Sequence, residues 1–167
     1  MRNNSKAMAM GGVFAALAVV IMNLGGLIPM ATYVCPVLCM LLLSFVDRAC
    51  GKRIAWAWYG AVSVLSLLLS PDKEAAAVFL FLGYYPILKP KLDTMKLKWI
   101  WKLLIFNGSM VVLYSILIRL MGLEAVTGES EELAGIMLIV LLVLGNVTFI
   151  ALDRLLTILS YRLRRKR

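Results

Sequence analysis

Runs of about twenty predominantly apolar residues recur along almost the whole of this 167-residue chain. Each is long enough to cross the roughly 30 Å of hydrocarbon in a bilayer. With 62% of residues hydrophobic and only 16% charged, a soluble domain of this size would leave too much apolar surface in water. In lipid the backbone must satisfy its own polar groups within each segment, so the runs are expected to be helices. The expectation is an all-α integral membrane protein, with residues 1–167 forming a single polytopic domain of about six transmembrane helices in one bundle.

The spans are placed at about 8–29, 31–46, 54–70, 71–89, 99–121 and 133–152, with a basic tail over 153–167. The first has a basic head and an apolar body, like a signal peptide. No Ala-x-Ala site follows it, so it is read as an uncleaved first span. The second is short and contains Pro36, and is expected to be tilted, kinked or partly re-entrant.

Charge orients the bundle. With the N-terminus in the cytoplasm, the inner segments hold Arg2, Lys6, Arg48, Lys52, Arg53, Lys89, Lys91, Lys96, Lys98, Lys102 and the basic C-terminal end. The outer loops hold Asp72, Glu74, Glu124, Glu129, Glu131 and Glu132, with Lys73 and Arg119 as the outer basic residues. Basic residues stay on the cytoplasmic side, so both termini are expected inside, in a multi-pass protein of the plasma membrane. Trp56, Trp58, Trp99 and Trp101 fall near the inner interface under this reading. The net charge of +9 is spread in short clusters between apolar runs, which points to anionic lipid rather than nucleic acid. In the tail, Leu152, Leu155, Leu156, Leu159 and Leu163 share one helical face, with arginines mainly on the other side and at the end, so the tail is expected to grip anionic lipid.

Several chemistries are disfavoured by what the sequence lacks. It contains no histidine, the commonest metal ligand and general base. Its three cysteines, Cys35, Cys39 and Cys50, have neither zinc-site spacing nor an even count. There is no GxSxG, P-loop or glycine-rich dinucleotide turn. The chain is therefore read as non-enzymatic, with no cofactor and no metal, and any ATP is handled by another protein.

A few polar residues remain as candidates. Ser70-Pro71-Asp72-Lys73-Glu74 reads as a helix start, with serine capping, proline in the first turn and acids at the positive end of the dipole. The alternative is the polar rim of a site, since a cap has no need of Lys73. Asn107 and Asn146 are costly in hydrocarbon unless they join helices or line a wet cavity, and Asn23 is a third such amide. Arg119 is either a snorkelling end residue or a counter-charge for an anionic ligand. Tyr33, Phe79 and Tyr114 either stack on a planar ligand or are simply packed. Tyr84, Tyr85 and Pro86 read as an aromatic belt followed by a proline kink. Ala7, Gly11 and Ala15 recur every four residues, as do Gly12 and Ala16, and such small stripes let a neighbouring helix or a partner subunit approach closely.

Taken together, the stretch SLLLSPDKEAAAVFLFLGYYPILK, the six expected helices and the two inner termini resemble the substrate-binding S component of energy-coupling factor (ECF) transporters, in particular Firmicute-type members. The resemblance implies capture of a small-molecule micronutrient near the outer face. It also implies partnership with a transmembrane coupling subunit and ATPase subunits. Ala7, Gly11 and Ala15 would take the place of the family's alanine motif on the first helix, which docks the coupling subunit. The outer loops would contribute Tyr33, Asp72, Lys73, Glu74 and Glu124 to the substrate site. The rival readings are a non-catalytic membrane scaffold similar to the rod-shape-determining family and a membrane-embedded enzyme acting on lipid headgroups.

Overall fold

The computed structural model describes residues 2–25, 31–121 and 131–165. Among them every regular element is helical and there is no strand. The chain forms two compact units, residues 1–95 and 96–167. The first contains α1 (Arg2–Leu24), α2 (Ala31–Cys50), α3 (Lys52–Leu69), α4 (Lys73–Leu82) and α5 (Tyr85–Leu92), and the second contains α6 (Lys98–Met121) and α7 (Glu131–Arg165).

Among the described residues, four helices are long and apolar enough to cross a membrane, through the segments Ser5–Leu24, Thr32–Cys50, Lys98–Ile116 and Leu142–Leu159. The remaining two expected spans take a different form. The 54–70 segment lies in α3, an 18-residue helix that begins with Lys52 and Arg53, except for Ser70, which caps its end. The 71–89 segment is two helices, α4 of 10 residues and α5 of 8. Pro86, in the first turn of α5, has no N–H to donate to the preceding turn, which ends the α4 hydrogen-bond ladder at Gly83–Tyr84. Both Gly83 and Tyr84 keep right-handed helical angles, so the chain bends there without reversing.

Helix directions within the first unit alternate. The Cys50 thiol faces the Ala7 carbonyl and the Cys39 thiol the Ala18 carbonyl, so α2 runs antiparallel to α1. A single residue, Gly51, joins α2 to α3 at φ 88°, a left-handed conformation that suits glycine. A Cβ on Gly11 would lie 3.3 Å from Ile54, and Ser70 bonds to Met22, so α3 runs parallel to α1. Lys73 at the start of α4 reaches the Leu67 carbonyl near the end of α3, whereas the Tyr59 hydroxyl nearer the start of α3 donates to the Leu80 carbonyl, so α4 returns antiparallel to α3. Pro36 is accommodated inside a continuous α2. The core of this unit includes Ala18, Met22, Cys39, Leu43, Val46, Val62, Ala75, Ala76 and Phe79.

The second unit is an antiparallel helix pair. Lys102 meets Asp153, Phe106 stacks on Phe149, Asn107 meets Asn146, and Met110 fills the space beside Gly145. The expected sixth span and the tail are one 35-residue helix, about 52 Å long at 1.5 Å per residue. Leu152 and Leu156 are buried with Phe149, whereas Leu155 is exposed, so only part of the expected leucine face turns inward.

Candidate functional site

Four of the expected site residues gather at one end of the first unit, where α1 and α3 finish and α2 and α4 begin. Tyr33, in the first turn of α2, donates its hydroxyl to Glu74 Oε1 at 3.0 Å. Asp72 is the N-cap of α4, its carboxylate accepting the Ala75 N–H at 2.9 Å. The cap is thus Asp72 rather than Ser70. Ser70 instead closes α3, and its hydroxyl donates to the Met22 carbonyl at 3.1 Å and lies 3.2 Å from that of Asp72. An aspartate oxygen reaches the amide three residues on more favourably than a serine already committed to a neighbouring helix. Lys73 also has a structural use that a cap alone does not predict. Its ammonium group donates to the Leu67 carbonyl at 2.8 Å and lies 3.5 Å from that of Leu68. A cation there complements the negative end of α3.

Asn107 and Asn146 meet in the second unit as a reciprocal amide pair, with N···O distances of 3.0 Å and 2.9 Å. Each also donates to the carbonyl four residues before it, Leu103 at 2.9 Å and Leu142 at 2.8 Å. All four amide hydrogens therefore have acceptors, the arrangement expected of a helix–helix contact. Asn23 likewise bonds back to the Val19 carbonyl. Arg119 lies exposed in the last turn of α6. Glu124 lies outside the described residues.

The small stripe on α1 faces the chain's own interior. Gly11 is buried and Ala7 and Ala15 are half-buried, with Ile54 of α3 against Gly11 and Cys50 of α2 against Ala7. The second stripe behaves differently. Gly12 and Ala16 are exposed, and a Cβ on Gly12 would meet nothing within 4 Å.

Two features were not singled out from the sequence. One is the Lys102–Asp153 ion pair, with N···O distances of 3.0 Å and 3.2 Å and side chains 3% and 5% exposed. Lys102 also lies 5.5 Å from the centre of the Trp99 ring. The other is the inward face of α3, where Ser63, Ser66 and Ser70 follow one another at single-turn spacing, all at 1% exposure or less. The ion pair could have been sought by matching lone opposite charges near the ends of consecutive spans, whereas serines in an apolar helix carry little sequence signal.

No protein family, curated protein or solved structure matches the chain.

Proposed function

We propose that this chain is the membrane-embedded substrate-capture subunit of an ATP-driven uptake system, similar in kind to an ECF S component. The observation that carries the reading is the meeting of Tyr33 and Glu74 beside Asp72. These residues are 41 positions apart at most, yet the alternating helices of the first unit bring them to one end. In this reading α1, α2, α3, the α4–α5 pair, α6 and α7 cross the plasma membrane in turn, with both termini cytoplasmic. The acidic and tyrosine-bearing end then faces outward as the lip of the site, and the basic end of α7 meets anionic lipid on the inner side. The chain itself carries no catalysis, and ATP is hydrolysed by associated subunits. Because α2 and α3 occupy the Ala7–Gly11–Ala15 stripe, the exposed Gly12–Ala16 stripe is the better docking face for a coupling subunit.

A second reading, a non-catalytic scaffold, draws on the mutual satisfaction of Asn107 and Asn146. Those amides are used up in holding two helices together. The readings separate by purifying the full chain from its host in mild detergent and identifying its protein partners. Capture predicts a transmembrane coupling protein and ATPases. A complex containing only cell-envelope assembly proteins would refute it.

A further inference from the structure

The inward face of α3 carries hydrogen-bonding groups that the fold leaves unused. Trp58 is 4% exposed, Ser63 1% and Ser66 0%. The Trp58 indole N–H and both hydroxyls have no hydrogen-bond partner. The Ser63 hydroxyl lies beside that of Tyr59, which itself donates to the Leu80 carbonyl. Buried polar groups in proteins are nearly always paired, and removing them from water without a partner is costly. Three on one helical face call for an explanation beyond packing.

Their neighbours suggest one. Ser70, one turn beyond Ser66, is hydrogen-bonded to Met22 and lies against the Asp72 backbone. The serine ladder is therefore continuous with the end where Tyr33 and Glu74 meet. Phe79, fully buried, stands against both Trp58 and Tyr59. The ladder runs roughly 18 Å from Ser70 to Trp58 at 1.5 Å per residue. Among the described residues of the first unit, Lys89 on α5 is the one charged side chain in the buried set, so nothing on the α3 face would neutralise an ionised guest.

We propose that the inward face of α3 is a binding track for a small uncharged molecule bearing hydrogen-bond acceptors, entered from the Ser70–Asp72 end. The two hydroxyls and the indole N–H hold its polar edge, and Phe79 lies against its apolar side. A charged solute is rejected, because it would surrender its hydration without gaining a counter-ion. As a statement of substrate class this rests on the capture reading; as a statement of a site it stands on α3 alone.

Trp58 provides the reporter. In the full chain carrying Trp56→Phe, Trp99→Phe and Trp101→Phe, acrylamide serves as an uncharged probe with a carbonyl acceptor and iodide as a charged one. The expected result is acrylamide quenching that saturates, no effect of iodide, and at least a tenfold higher half-saturating concentration after Ser63→Ala with Ser66→Ala. Quenching that rises without saturation, that ignores the serine changes or that iodide reproduces would overturn the proposal. A second measurement needs no tryptophan replacement. If Ser66 holds a guest, saturating acrylamide raises the melting temperature of the parent chain and raises that of Ser66→Ala less. If its hydroxyl is merely unpaired, acrylamide acts on the two chains alike, and that also overturns the proposal. Saturable quenching in a chain that recruits no ATPase would keep the site and remove its transport role, so the two claims fail separately.

Discussion

The ammonium group of Lys102 sits between the two carboxylate oxygens of Asp153, at 3.2 Å or less from each, and both residues fall within apolar segments long enough to span a bilayer. Each is the other's ionic partner, with side chains 3% and 5% exposed. Breaking a buried ion pair by removing one partner typically costs about 3–5 kcal/mol, whereas replacing both with apolar side chains of similar size is often neutral or stabilising. Lys102→Met and Asp153→Leu should each lower the unfolding free energy in detergent micelles by about that amount. The double variant should recover most of it. A double variant as unstable as the worse single one would show that the pair is not the source of the loss.

The two glycines at the start of α1 should behave oppositely. Gly11→Leu forces a branched side chain where even a Cβ lies 3.3 Å from Ile54, so it should reduce stability by about 1–3 kcal/mol through overpacking. Gly12→Leu projects into open space and should leave the melting temperature nearly unchanged. If a coupling subunit docks on the exposed stripe, Gly12→Leu should instead abolish its co-purification. Loss of the partner with Gly11→Leu in a folded chain, and not with Gly12→Leu, would return the docking role to the inner stripe.

Asn107 and Asn146 form a closed pair, and a double-mutant cycle with Asn107→Leu and Asn146→Leu reads their coupling directly. Interhelical amide bonds of this kind contribute about 0.6–2 kcal/mol. A coupling energy in that range, with substrate retention unaltered in any folded variant, is expected. Coupling near zero would deny them the joining role.

At the start of α4 the two charges have separable tasks. Asp72→Ala removes the N-cap bond to Ala75 and should cost about 1 kcal/mol. Lys73→Ala removes a cation from the end of α3 and should cost no more than about 1 kcal/mol. Thermal unfolding of both variants checks the order.

Much of this architecture was legible because lipid-sized apolar runs leave the backbone few choices. The helix α6 begins and ends within a residue of its expected bounds, and α7 begins within two of its own. The kink before α5 was readable from Pro86. The pairing of Asn107 with Asn146 was foreseeable as one of two options, since amides in hydrocarbon seek each other or water. The Lys102–Asp153 pair was not, because the basic clusters near the span ends were assigned to the inner interface, and Lys102 was read as one more orienting charge. Which α1 stripe faces inward was equally hidden. Both have the same spacing, and only the positions of α2 and α3 distinguish them. The α3 serines were overlooked because a serine that bonds back to its own helix and one that awaits a partner look identical in sequence.

Substrate capture itself is tested most directly by what the chain retains. The full-length protein and the Tyr33→Phe, Glu74→Gln double variant are purified side by side in mild detergent, and the small molecules released on denaturation are identified by mass spectrometry. The capture reading predicts a single small molecule in near-equimolar amount from the parent, and its loss from an equally folded variant. Identical extracts from the two proteins, or none from either, would contradict it.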